Sequence, residues 1–572
     1  MDDNFQPATV AEHLLFLLGE HGVEHLFLNP GTDSAPLQEA MKTLPAAGIT
    51  IPRVHASTFE AVSLAAAHAF YQATGRPQCV VVHVDAGTQN LGAMMHDAFR
   101  DRAGVIILAG KTPYGEDSES RGGRSGYIQW LQDMPDQPGI VRSYAKLVLE
   151  ITRPEMLDRA LGRAVQIATS YPAGPVYLTV SRDVLMDRPE RRASRTSGYA
   201  IPAPPALGAD RVAEVVALIA AASRPLLITS RTGRTESGFE AVTRLAELAG
   251  MTVTRGVDTG PVSIPTLHPM HLRSPAAATA ALREADLVLI VECDVPFIPR
   301  SVQPNSAATV VHIDGDPLKV TMPLWAFPVD IALQADGPTA LGQLGDAIAE
   351  LRATSPETAR RFDDRVESAG AGEPLGAPQL LEDDGIGAVD VLLALNEVLR
   401  SDDIVVEEAV TNSGLVYQDV VRTKAGTIAG AFAPGLGWAL GGAIGVKLAH
   451  PERRVVAICG DGSFLFSVPS SALMMAAEMR TPFLTVILNN DGYRASRLPV
   501  YELFPEGASA ASGDAVGTSF SSAPNFAALA LACHAHGERV EQRSQLTSAL
   551  RRCLEVVESG TAAVLDVGVR QR

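Results

Sequence analysis

The sequence predicts an α/β protein built from three successive doubly wound parallel-sheet domains. Length is the first observation behind this: 572 residues leave room for about three domains at roughly 150–200 residues each. The second is a repeated alternation of β-branched runs ending near glycine with helix-like stretches. Strands buried on both faces of a parallel sheet read as such continuous apolar runs. The third is a pair of polar stretches that divide the chain. The first block, 1–188, carries the runs VEHLFLNPG, QCVVVHVDAG and GVIILAG. A Pro-rich polar stretch, 190–210, reads as a linker. The second block, 205–350, has strands at RPLLITS, DLVLIVE and ATVVHIDGD, and the charged stretch 353–385 reads as a second linker. The third block, 385–572, has strands at DIVVEE, RRVVAICGDG and PFLTVILNND.

Composition narrows the function classes. A net charge of −18 argues against nucleic-acid partners, whose phosphates need clustered Lys and Arg. Small anionic substrates stay open, because a local site can be positive on an acidic chain. The five cysteines are scattered with no C-x-x-C pair, which suits neither a disulfide framework nor a zinc site. The first thirty residues lack a basic-then-apolar leader, and no apolar run reaches the ~18 residues of a membrane span. These features predict a soluble cytoplasmic protein with no membrane partner.

The strongest chemical signal is Gly460-Asp461-Gly462, followed after 26 intervening residues by Asn489-Asn490. Both ends directly follow strands, at the carboxyl edge where open α/β sheets bind ligands. Asp461 and Asn490 offer hard oxygen ligands of the kind Mg²⁺ takes when a diphosphate supplies the rest. A helix starting near Ser463 would turn backbone N–H groups toward a phosphate, and the glycines permit close backbone approach.

This spacing resembles the metal and diphosphate motif of thiamine-diphosphate enzymes. The wider pattern is similar to the acetolactate synthase, benzoylformate decarboxylase and pyruvate oxidase family over essentially the whole chain. The resemblance implies pyrimidine-binding, central and diphosphate-binding domains, in that order. It implies that Asp461, the Asn490 side chain and the Gly492 carbonyl hold Mg²⁺. In GLGWALGGAIGV it places Gly435 and Leu436 beneath the cofactor, Leu436 as the apolar wedge. Gly460, Gly462, Ser463, Thr411, Asn412 and Tyr493 join them as cofactor-binding positions.

A second piece is Glu60 in HASTFEAVSLAAAHAFYQATGRP. A Glu in an Ala-rich helix is costly to bury without a partner. In the family, a Glu here shares its proton with the cofactor's pyrimidine ring. The two cofactor ends bind to different subunits there, which implies a homodimer at minimum, with a homotetramer as the larger assembly. NPGTDSAPL and VVHVDAGTQNLG look most like benzoylformate decarboxylase, with Thr32 keeping a substrate-facing hydroxyl and His83 exchanging protons near neutral pH. Glu60, His83 and Thr32 are therefore the candidate catalytic residues.

The second histidine of benzoylformate decarboxylase has no match; Arg300 stands roughly there. Arg494 and Arg497 are read either as holders of an anionic substrate tail or as solvent-facing helix residues. ILAGKTP imitates a P-loop but has Val105 where the first glycine is required. FAD or ADP in the central domain, with Arg231 and Arg234 as phosphate contacts, is weighed against a structural domain without cofactor, and the structural reading is preferred. The resemblance implies a 2-oxo-acid decarboxylase or carboligase. Its alternatives are a 2-hydroxyacyl-CoA lyase or oxalyl-CoA decarboxylase, and a non-catalytic thiamine-diphosphate-binding scaffold.

Overall fold

The structure is a computed structural model and describes residues 5–117, 121–189, 199–258, 260–370, 373, 385–431, 433 and 435–570. The first sheet holds β1 (His25–Leu28), β2 (Arg53–Ala56), β3 (Cys79–Val82), β4 (Ile106–Lys111), β5 (Leu147–Ile151) and β6 (Val176–Ser181). The second holds β7 (Pro225–Thr229), β8 (Thr252–Thr254), β9 (His271–Leu272), β10 (Leu287–Val291), β11 (Thr309–Asp314) and β12 (Ile331–Gln334). The third holds β13 (Ile404–Glu408), β14 (Ile428–Gly430), β15 (Val455–Gly460), β16 (Leu484–Asn489), β17 (His536–Val540) and β18 (Ala563–Gly568). Neighbouring strands pair in parallel in all three, as the continuous apolar runs predict. Every residue of Cys79–Val82 and Leu484–Asn489 is buried.

The outer sheets share one strand order, β2-β1-β3-β4-β6-β5 and β14-β13-β15-β16-β18-β17. The middle sheet differs, running β12-β11-β10-β7-β8-β9. That is the order of dinucleotide-binding sheets, with its switch point between β7 and β10.

The outer domains are joined by two small-residue helices, Glu60–Thr74 and Ala439–Ala449. The first ends at Gly75, whose φ of 70° is left-handed and whose N–H reaches Tyr71 O at 2.7 Å. The two pack backbone to backbone. A Cβ on Gly445 would lie 2.0 Å from Ala66 O, and one on Gly441 2.7 Å from Val62 O, so only glycine fits. Beside them the Trp438 indole N–H donates to His68 Nδ1 at 3.0 Å, and His68 Nε2 meets Asp101 at 3.0 Å. One apolar core runs from Phe27 through Leu64 and Leu440 to Phe464.

The stretch 353–385, expected to be linker, is corrected in its first half. Helix Pro356–Ala369 follows Gly337–Thr354 directly, with Ser355 accepting from Thr358 N as its cap. Phe362, fully buried, anchors it to the central core. A single apolar anchor among charges gave too weak a period to show. Residues 190–198 of the other expected linker lie outside the described residues.

Candidate active site

β15 and β16 are neighbours in the third sheet, so their carboxyl ends bring the Gly460–Gly462 and Asn489–Gly492 turns together. Asp461 opens the short helix Asp461–Phe466 and is buried. Its Oδ1 accepts from Gly462 N at 2.9 Å and its Oδ2 from Gly492 N at 2.8 Å. Burial raises its pKa, and these amides together with that of Asn490 pull it back. Asn489 is structural: its side-chain amide donates to Asp566 at 2.9 Å and its Oδ1 accepts from Asp491 N at 3.1 Å. That leaves Asn490 facing the edge. Asn490 Oδ1 and Ser463 Oγ are both buried without a hydrogen-bond partner among the described residues. Buried oxygens left unsatisfied cost roughly 1–3 kcal/mol each, so this edge is poised for an external cation or donor.

The glycines here divide by role. A Cβ on Gly460 would meet nothing within 4 Å, leaving open space beside Asp461. On Gly462 it would press on the Tyr493 ring at 2.8 Å, and on Gly492 it would lie 2.2 Å from Thr518 O. Tyr493 is held edge-on against Phe520, centroids 4.7 Å apart. The Gly492 carbonyl accepts from Arg494 N at 3.1 Å. Thr411 and Asn412 form a single turn after β13, the strand beside β15, with Asn412 buried.

Leu436 sits in a loop held from both sides. Gly435 N donates to Asp97 at 2.9 Å, and the N–H groups of Gly437, Trp438 and Ala439 donate to Glu408 at 2.7, 3.1 and 2.9 Å. Burial raises the pKa of both acids, Asp97 to about 9 and Glu408 to about 7. Leu436 lines a recess of about 450 Å³ with Phe59, Asn90 and Phe466, and a larger cavity of about 690 Å³ toward the central domain.

At the first sheet's edge, Glu60 is buried at the start of its helix and accepts from Asn90 Nδ2 at 3.0 Å. No hydrogen bond joins Glu60 to the Asp461 turn within this chain among the described residues. His83 ends β3 and caps the helix Val84–Gln89. Its Nδ1 bonds Asp33, and its Nε2 lies 3.0 Å from the Gln132 amide. The Asp33 hydrogen bond raises the His83 pKa above 6.5, against the lowering effect of burial. Two glycines make room for this pair: a Cβ on Gly31 would strike His83 Nδ1 at 2.0 Å, and one on Gly110 would overlap Asp33 Oδ2 at 1.4 Å. Thr32 is exposed in the same turn, its carbonyl accepting from Arg182 at 3.1 Å.

Asp33, Asn90, Asp97, Glu408 and Gln132 were missed in the sequence. Asp33 and Asn90 stand inside motifs that were singled out, so their signal was there. Three candidates are corrected. Arg497 binds the Thr518 and Ser519 oxygens at 3.0–3.2 Å, which makes it a loop brace, neither tail holder nor solvent residue. Arg231 bonds Asp294 and the Arg100 carbonyl, while Arg234 bonds Glu292 and Asp336. Both arginines are thus engaged by the protein's own carboxylates and carbonyls. Arg300 is exposed on a turn and Arg494 is half-buried at a helix start.

Three parallel sheets with an acid and an amide brought together at one carboxyl edge are the arrangement expected of a thiamine-diphosphate enzyme. The sequence matches the N-terminal, central and C-terminal domains of the thiamine pyrophosphate enzymes over residues 8–140, 212–344 and 411–567, and the chain belongs to that family. It is 27% identical over 494 residues to a benzoylformate decarboxylase of Pseudomonas aeruginosa, spanning 84% of this chain and 86% of that one. It is 26% identical to an acetolactate synthase large subunit of Parasynechococcus marenigrum, spanning 99% and 88%. Its fold superposes on a thiamine diphosphate-dependent 4-hydroxybenzoylformate decarboxylase of Rhodococcus jostii with a TM-score of 0.81, covering 99% of each chain at 21% identity. No helix among the described residues is long and apolar enough to cross a membrane.

Proposed function

We propose that this enzyme, loaded with thiamine diphosphate and Mg²⁺, breaks or makes the carbon–carbon bond beside the carbonyl of a 2-oxo acid. The observation that carries the reading is the unsatisfied Asn490 Oδ1 at the edge shared with Asp461. A hard dication coordinated by Asp461, Asn490 and the Gly492 carbonyl, with phosphate oxygens completing the shell, suits this donor set. Ser463, Thr411, Asn412 and Tyr493 would line the diphosphate, and Gly435 would let Leu436 stand under the rings. When bound, the cofactor supplies a carbon nucleophile and an electron sink for the bond that changes.

The chain's own groups do the rest. Glu60, positioned by Asn90, would present its carboxyl to the pyrimidine nitrogen for proton exchange. Asp33 fixes His83 through Nδ1, and Nε2, which lies 3.0 Å from the Gln132 amide, is the nitrogen that would exchange a proton with the substrate in place of that contact. Thr32, exposed beside it, offers a hydroxyl to the substrate carboxylate. Among the described residues no hydrogen bond joins Glu60 to the Asp461 turn within one chain, which supports a homodimer whose sites form between subunits, and a tetramer built from it. Exposed Tyr127 and Leu131 beside the Gln132 turn, 78% and 72% accessible, and Phe466 at 54% by the Leu436 recess give such an interface its apolar surface.

The test is product analysis from the holoenzyme with pyruvate, phenylglyoxylate, oxalyl-CoA and 2-hydroxyacyl-CoAs. Carbon dioxide or a ligated hydroxyketone from a free 2-oxo acid supports the reading. Turnover of CoA thioesters alone moves the enzyme to the acyl-CoA class. No turnover of any, with tight cofactor binding, leaves a scaffold.

A further inference from the structure

The cavity of about 690 Å³ between the central and C-terminal domains reaches Leu436 at one wall and Arg255 at another. Its surface is apolar around Phe297, Ile298 and Leu436, so each charged group on it needs an account. Asp258 accepts from Ser230 Oγ at 2.6 Å, and Glu407 from Ala409 N at 2.7 Å and Ser413 Oγ at 2.6 Å. Glu408 accepts the three amides at the start of the Ala439–Ala449 helix. Arg273 is tied to the Gln418 and Glu373 carbonyls.

Arg255 is placed differently. It follows β8 at the sheet's carboxyl edge, and among the described residues no carboxylate stands within ion-pairing distance. Its Nη1 donates to the Asp258 carbonyl at 2.6 Å, and its guanidinium carbon lies over the Tyr417 ring, 4.1 Å from the centroid. Tyr417 is fixed in turn by Gly260, whose carbonyl accepts from the phenol at 2.7 Å and whose N–H donates back at 2.9 Å. Stacking of this kind holds a planar fork in place and leaves its edge for an oxyanion. Burial raises the pKa of Asp258, Glu407 and Glu408, while the nearby Arg255 pulls the first two back.

We propose that Arg255 binds an anionic group at the far end of the substrate's side chain, so that the enzyme favours 2-oxo acids bearing a second acidic group. The inference rests on the 2-oxo-acid reading above and adds the substrate class. A guanidinium–carboxylate pair forms two parallel hydrogen bonds, stronger than neutral ones and selective for a planar anion.

The experiment measures kcat/KM of the holoenzyme, with Arg255→Met and Arg255→Lys beside it, for 2-oxoglutarate and 2-oxoadipate against 2-oxohexanoate and phenylglyoxylate. The wild-type enzyme is expected to prefer the acidic-tailed substrates by at least ~10-fold. Arg255→Met should remove that preference while changing the neutral substrates by no more than about twofold, and Arg255→Lys should retain part of it. Wild-type preference for the neutral substrates overturns the proposal and leaves the 2-oxo-acid reading standing. Equal losses on all four in Arg255→Met also overturn it, since they mark a purely structural arginine. Turnover of no 2-oxo acid overturns both.

Discussion

The carboxyl edge of the C-terminal sheet and that of the central sheet carry similar polar side chains and leave them in opposite states. At the first, Asn490 Oδ1 and Ser463 Oγ are buried and unpartnered, and Gly460 borders open space. At the second, the charged groups at the switch point between β7 and β10 are paired with one another. Lys319 bridges Asp294 and Asp314 at 2.5 and 2.6 Å, Arg231 takes Asp294, and Arg234 takes Glu292 and Asp336. Arg102 enters from the N-terminal domain to Asp314 at 2.9 Å, and the Tyr171 hydroxyl reaches Glu292 at 2.5 Å. The central sheet has the strand order of a dinucleotide binder, and the cavity of about 520 Å³ beside Arg231, Arg234 and Glu292 is walled by an ion-pair cluster that also ties two domains together. Topology puts a crevice at both edges, and only side-chain satisfaction separates a ligand site from a structural joint.

That contrast can be broken most forcefully at Asp461. Asp461→Ala should lower kcat/KM by at least ~1000-fold, about 4 kcal/mol of transition-state stabilisation, with the melting temperature of the cofactor-free protein nearly unchanged. A loss under tenfold in steady-state kinetics would make the C-terminal edge no different from the central one.

At the N-terminal edge the effects are smaller and depend on pH. His83→Ala is expected to slow turnover about 100-fold, the low end for acid–base catalysis. Because the Asp33 bond raises the His83 pKa, Asp33→Asn should move the His83 limb of the pH–rate profile toward acid. The sign carries over to folding. A pKa raised above 6.5 adds stability that is complete below that value and fades as pH rises through the folded-state value. Denaturant titrations of wild type and Asp33→Asn should therefore converge on the alkaline side.

The central cluster should show the reverse pattern, in stability and not in rate. Lys319→Met leaves Asp294 and Asp314 short of a cation and should destabilise the fold by about 3 kcal/mol, with kcat within about twofold of wild type. Smallest of all is the response to nucleotide. Added ADP or FAD should leave the melting temperature where it was, whereas a ligand at 100 times its Kd would add about 2.7 kcal/mol.

How much of this the sequence disclosed follows from how local each feature is. Asp461 and Asn490 were legible because each closes a β-branched strand and the helical segment between them has a fixed length. Glu60 showed as one acid in an Ala-rich helix. Their partners were hidden by distance along the chain: Asn90 stands 30 residues from Glu60, Asp33 50 from His83, and Asp97 338 from Gly435. The central ion cluster draws on residues from Arg102 to Asp336, and no window of sequence contains it. The helix Pro356–Ala369 was taken for linker because its one deep anchor, Phe362, gives almost no period.

The central claim is that the Asp461–Asn490 edge holds the cofactor's diphosphate through a dication. It is met most directly by calorimetric titration of the cofactor-free protein with thiamine diphosphate, with Mg²⁺ and with EDTA. Affinity should fall at least ~100-fold without the metal, and Asn490→Leu should reproduce most of that loss with Mg²⁺ present. Equal affinity in Mg²⁺ and EDTA, or full affinity in Asn490→Leu, would contradict it.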